Sequence, residues 1–221
     1  MNFTGFSNED FQVFQVPGLD ARMEAIKRLV RPKLELLGKH FAPTLSTLTG
    51  DEMFYHVAKH ARRTKNPPND TWVAFSSSKR GYKKLPHFQI GLWETHLFIW
   101  FAVIHEAPNK DQIGASFQKE ISTIRKSIPL HYVWSDDHTK PYAIKSNELS
   151  DQKLVQLFER LQFVQKAEVL CGLHIPKEKT VNLNGTDLLS IIEDVFVHVI
   201  PLYKLSLRQI AISPDNSTAH L

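Results

Sequence analysis

His87-Phe88-Gln89-Ile90-Gly91-Leu92-Trp93-Glu94, followed by His96-Leu97-Phe98-Ile99-Trp100-Phe101-Ala102-Val103-Ile104-His105, is the stretch on which the fold turns. Both halves read as extended chain, and only Thr95 and His96, the latter at the head of the second half, are available for a turn before Leu97. In the second half Phe98, Trp100, Ala102 and Ile104 point one way, and Leu97, Ile99, Phe101 and Val103 the other. Both faces are therefore apolar, and this strand is expected to be central, covered on both sides and paired antiparallel with the first. In the first half Phe88, Ile90 and Leu92 share one face. His87, Gln89, Gly91 and Trp93 share the other, a mixed row that reads as a ligand platform rather than a core face.

Working outward, Thr71-Trp72-Val73-Ala74-Phe75 gives another strand, leading through Ser76-Ser77-Ser78 to a turn at Lys79-Arg80-Gly81. Upstream, Asp20 is placed to cap a helix in which Met23, Ile26, Val30, Leu34, Leu37 and Phe41 recur at steps of three and four. Pro32 is expected to kink that helix or split it, with Pro32 in the first turn of the second piece. Asp51 opens a short helix from Met53 to about Arg63. Downstream, Ile113 to Ile128 reads as a helix, His131–Trp134 and Pro141–Ile144 as short strands, and Asp151 as the cap of a helix through Phe163. Glu168–Ile175 reads as a strand, and a last helix runs from Thr186 or Asp187 to Val199, before Pro201. The polar tail 213–221 is expected to fray. Strands joined by short turns predict an α+β fold: one domain over 1–221, a mainly antiparallel central sheet and helices packed on it. A faint echo between Val103–Lys110 and Gly172–Lys179, each with a His near a strand exit, suggests a weak internal duplication.

The 221 residues, 42% hydrophobic and 23% charged, exclude disorder, collagen and low complexity. A single cysteine, Cys171, excludes an internal disulfide and a multi-thiolate centre. The N-terminus has no signal-peptide pattern and the longest apolar run, Leu97 to Ile104, is far short of a bilayer span, so a cytoplasmic protein with no membrane partner is expected. The formal charge of +4 is an N-terminal property. Between Lys59 and Lys84, eight cations (Lys59, Arg62, Arg63, Lys65, Lys79, Arg80, Lys83, Lys84) face only Asp70. Such a cluster attracts phosphate esters, nucleic acid or an acidic partner, and also reads as a solvated basic surface.

The segment 76–93 concentrates the candidate site. Ser76 and Ser78 can donate to an oxyanion, Arg80 can bind two of its oxygens, and Lys83 and Lys84 add charge. His87 and Gln89 adjoin it, while Tyr82 and Trp93 offer stacking surface. No phosphate-loop, dinucleotide, nucleophile-elbow or zincin motif occurs. His56 and His60, with Glu52, would share a helical face of metal-ligand spacing. Lys59 and Arg63 stand beside them and no third ligand is fixed, so no metal is expected there, and no cofactor is implied. Asp136, Asp137, His138 and His131 could serve acid–base work or simply stabilise a loop. Cys171 and His174 face opposite sides of a strand and cannot serve one another.

Two runs carry a resemblance. Val57-Ala58-Lys59-His60-Ala61-Arg62-Arg63-Thr64, then Asn66-Pro67-Pro68-Asn69-Asp70-Thr71-Trp72-Val73-Ala74-Phe75, precedes Arg80-Gly81-Tyr82-Lys83 and Leu85-Pro86-His87-Phe88-Gln89-Ile90-Gly91-Leu92-Trp93. Together they resemble the YktB-like family of uncharacterised proteins from Gram-positive bacteria, over nearly the whole chain. The resemblance implies a single-domain α+β bacterial protein and carries no catalytic residue or cofactor with it. The residues themselves leave three readings: a non-catalytic binder of an anionic small molecule or nucleic acid through 76–93; a hydrolase or transferase acting on a phosphorylated substrate with His87 as acid–base; and a homodimer or partner-docking protein using the aromatic arm Phe3, Phe6, Phe11 and Phe14.

Overall fold

A computed structural model describes residues 3–208; the tail 213–221 lies outside them. The strands β1 (Phe54–Val57), β2 (Asp70–Ser76), β3 (His87–Trp93), β4 (His96–Val103), β5 (Val133–Ser135), β6 (Ile144–Lys145) and β7 (Val169–Pro176) form one sheet in the order β1-β2-β3-β4-β7-β5-β6. Every neighbouring pair is antiparallel. The expected β3–β4 hairpin is present with Leu92 opposite Leu97 and His87 opposite Ala102, and every residue of β4 is buried. The chain is an α+β domain, as the strand pattern predicts.

The helices are α1 (Asn8–Gln12), α2 (Leu19–Ala25), α3 (Arg31–Thr49), α4 (Lys110–Lys119), α5 (Ile121–Ser127), α6 (Asp151–Phe163), α7 (Lys177–Thr180) and α8 (Gly185–Leu207). The main core lies between one sheet face, through Val73, Phe88, Ile99, Phe101 and Cys171, and the helical stripes of α3, α4, α6 and α8. Pro32 does split its helix: one π turn, Ile26–Val30, joins α2 to α3, and Pro32 stands in the first turn of α3. The wide turn accommodates the missing amide and keeps Ile26, Val30, Leu34, Leu37, Phe41 and Leu45 on one fully buried stripe.

Several expectations are corrected. The segment expected to be a helix from Met53 contains β1 instead, which pairs with the free edge of β2 (Tyr55 opposite Phe75, His56 opposite Ala74). The hydrogen bonds of that open edge and a run of aromatic and β-branched residues outweigh weak helical spacing. His56 and His60 therefore share no helical face, and His60, three residues past β1, has a positive φ of 51°. Gly18, at φ 80°, rather than Asp20, caps α2; Asp20 sits in its first turn, where a carboxylate favours the helix dipole. The helix expected over Ile113–Ile128 breaks into α4 and α5, and α8 continues through Pro201 to bury Leu202, Tyr203 and Leu205. Phe3, Phe6, Phe11 and Phe14 are all in the main core, so the aromatic arm is occupied within its own chain. The two echoed stretches are not equivalent: His105 follows β4, whereas His174 lies inside β7.

The second sheet face is also covered. Trp93, Phe98, Trp100, Ala102, Ile104, Val133 and Leu170 make a smaller apolar cluster, with Trp72 and Ala143 packed against it. The mixed row His87, Gln89, Gly91 and Trp93 is buried in this layer. Cross-strand pairing sets Trp100 beside Gln89 and Phe98 beside Gly91, and large aromatics there exclude water from their polar neighbours. A Cβ at Gly91 would meet the Phe98 ring at 2.3 Å, so that position has room for no side chain.

Candidate functional site

The turn between β2 and β3 is built by its own serines. Ser76, fully buried, donates its Oγ proton toward Gly81 O at 3.1 Å, and Ser78 Oγ accepts from the Arg80 amide at 3.2 Å. His56 Nε2 donates to Ser78 O at 2.9 Å, fastening the turn to β1. Trp72 Nε1 donates to the Tyr82 hydroxyl at 2.9 Å, fastening it to β2. Burial pushes the Tyr82 hydroxyl up to about 12.

This turn faces β1 and the start of α3 across a pocket of about 870 Å³. Five cations line it: Arg31 from α3, Lys59 from the segment after β1, and Arg80, Lys83 and Lys84 from the turn. Two carboxylates join them, Glu35 and Glu106, and Tyr55, His56 and Tyr82 supply ring surface. Lys83 pairs with Glu106 at 2.8 Å, and burial plus the nearby Glu35 raise the Tyr55 hydroxyl above its ordinary value. Arg80 and Lys84 are exposed. Fixed hydroxyl and ring positions beside the exposed Arg80 guanidinium and Lys84 ammonium suit a ligand that is anionic at one end and flat at the other.

The sequence-selected residues divide. Ser78, Arg80, Tyr82, Lys83 and Lys84 line the pocket. Ser76 does not; its hydroxyl holds the turn. His87, Gln89 and Trp93 lie in the second apolar layer. His87 Nδ1 donates to Leu85 O at 2.7 Å and its Nε2 accepts from Gln89 Nε2 at 3.0 Å, so both ring nitrogens are occupied. Burial lowers its pKa to about 4 and keeps it neutral. Its ring meets the Tyr82 ring edge-on at 4.9 Å, which makes it a support for a pocket wall. Arg31, Glu35 and Tyr55 were not legible as site residues, because α3 and β1 reach the turn only through the fold.

Comparison with known proteins now gives the chain its relatives. A family model described as a domain of unknown function, DUF1054, matches residues 6–203. The chain belongs to this family. A UPF0637 protein of Bacillus velezensis is 59% identical over 201 residues, covering 91% of this chain and 96% of the relative. One from Bacillus licheniformis is 55% identical over 206 residues, covering 93% and 98%, and one from Bacillus thuringiensis is 49% identical over 208 residues, covering 94% and 100%. These relatives agree with the resemblance drawn from the two quoted runs.

In this DUF1054 chain the acidic loop after β5 also separates into parts. Asp137 accepts from the amide and hydroxyl of Thr139, at 2.9 and 2.6 Å, and pairs with Lys140. Burial alone would raise its pKa, and those contacts outweigh it and lower it to about 2. Asp136 stands 3.8 Å from Arg160, and His131 packs on Tyr132. His138 turns away to Glu168. Cys171 faces the main core, while His174 meets Trp100 on the opposite face. Among the described residues, no helix of the DUF1054 chain is long and apolar enough to cross a membrane.

Proposed function

We propose that this chain is a non-catalytic cytoplasmic binding protein for a phosphate-bearing small molecule with a flat ring. The supporting observation is the pocket in which Arg31, Lys59, Arg80, Lys83 and Lys84 surround Tyr55 and Tyr82. Its volume of about 870 Å³ suits a nucleotide-sized ligand. Glu35 and Glu106 interrupt the positive lining, which favours a compact anion over a continuous run of backbone phosphates. The enzymatic reading through His87 has less support, since that ring is fully buried with both nitrogens engaged.

A thermal-shift series tests the ligand class. Nucleoside mono- and diphosphates are expected to raise the melting temperature more than equimolar sugar phosphates, and sugar phosphates more than unphosphorylated nucleosides. Equal shifts from all three would remove the phosphate from the reading. A larger effect from single-stranded oligonucleotides, abolished by moderate salt, would transfer the pocket to nucleic acid.

A further inference from the structure

β7 has β4 on one side and β5 on the other, both antiparallel to it, so both neighbours end where β7 begins. Val103 lies opposite Val169, and Ser135 opposite Leu170. The chain leaving each neighbour soon reaches a histidine: His105 after β4 and His138 after β5. The residue just before β7 is Glu168, whose side chain is only 3% exposed. This topology delivers two imidazoles to one buried carboxylate from opposite sides.

The convergence is close. His105 Nδ1 is 2.5 Å from Glu168 Oε1, and His138 Nδ1 is 2.7 Å from Oε2. The amide of His105 also donates to Oε1 and that of His138 to Oε2, at 3.3 and 2.9 Å, so the backbone fixes the carboxylate independently of the rings. The two rings lie 23° from parallel with centroids 6.3 Å apart. One ligand atom from each of the three residues lies within 4.8 Å of the others.

We propose that His105, His138 and Glu168 form a binding site for one divalent transition-metal ion of the zinc class. Two imidazole nitrogens and one carboxylate oxygen suit Zn²⁺ or Co²⁺, whereas Ca²⁺ and Mg²⁺ prefer all-oxygen shells. Three protein ligands leave at least one coordination position for water or a ligand atom. Without an ion, each Nδ1 donates its proton to Glu168. When the ion binds, each imidazole coordinates through a deprotonated Nδ1 with its ring proton on Nε2, and any second ring proton held beforehand leaves to solvent. The half-exposed His105 ring gives the ion its way in. None of the three residues lines the anion pocket, so the site stands whether or not that pocket binds phosphate.

The test uses the full chain stripped with a chelator and titrated with Co²⁺. One equivalent is expected to develop the visible d–d bands of a four- or five-coordinate ion, with a Kd below about 10 μM, and one equivalent of Zn²⁺ to abolish them. His105→Ala and Glu168→Gln are each expected to weaken binding by about 100-fold, while His131→Ala, altering an exposed histidine that precedes β5 at the other end of that strand, leaves it unchanged. His105 is half exposed, so its variant keeps the test decisive even if Glu168→Gln melts early. Absence of the cobalt bands, or binding undiminished in His105→Ala, would overturn the proposal.

Discussion

Trp72 and Tyr82 are joined by an indole-to-phenol hydrogen bond of 2.9 Å, and through it the second strand holds the basic turn against the sheet. Trp72 also carries the His60 ring edge-on at 5.5 Å, so one indole braces both segments that supply cations beyond the strands. The pocket is thus organised by half-buried aromatic contacts, while the Arg80 and Lys84 side chains at its mouth stay exposed.

Trp72→Phe keeps an aromatic ring, smaller than the indole, and removes the donor. The cost is expected to be about 1 to 2 kcal/mol in urea unfolding, because the half-buried Tyr82 hydroxyl loses its partner. Anion affinity is expected to fall as well, through a looser turn. Unchanged stability and affinity would show that the bond does not position the turn.

Gly172 lies opposite Trp100 in the pairing of β7 with β4, and a Cβ there would stand 1.9 Å from the carbonyl oxygen of Ile99. Backbone cannot yield as a flexible side chain does. Gly172→Ala is expected to cost about 3 kcal/mol or more and to reduce soluble yield. A circular-dichroism melt matching the parent would mean that the two central strands are spaced more widely than described.

Acid is expected to destabilise the protein through its buried histidines. Burial lowers the pKa of His87 and His96 to about 4, and burial together with His96 lowers that of His174 to about 3. The unfolded chain, with ordinary values near 6.5, binds these protons first as pH falls. Their contribution is therefore complete above about pH 6.5 and is lost progressively toward pH 4, roughly 3 kcal/mol for fully buried His87. Among the described residues, the Nε2 atoms of His96 and His174 are buried without partners. His174→Phe is expected to flatten the slope of unfolding free energy against pH between 7 and 4; an unchanged slope would assign the acid sensitivity elsewhere.

What the sequence disclosed followed from periodicity. The two apolar faces of Leu97–Ile104 placed a central strand, and spacing located the main helices. What stayed hidden were effects of neighbours in space. Tyr55 and His56 became a strand because β2 had an open edge, and Arg31 entered the pocket because α3 packs beside β1. His87 and Gln89 alternate as a platform would, yet Trp100 and Phe98 across the hairpin seal their face. Glu168 read as the first residue of a strand, and only the order β4-β7-β5 shows that two histidines meet on it.

Isothermal titration with a nucleoside diphosphate at low salt, comparing the parent with Arg80→Ala and with Lys84→Ala, addresses the anion pocket most directly. One site per chain is expected. Arg80→Ala should weaken it by roughly ten- to a hundredfold, the loss of about 1.5 to 3 kcal/mol typical of a charge-assisted contact, and Lys84→Ala should weaken it less. Both melting temperatures should stay near that of the parent, since these side chains are exposed. Binding by the Arg80→Ala, Lys84→Ala double variant as tight as the parent's would contradict the assignment and leave the turn a solvated basic loop.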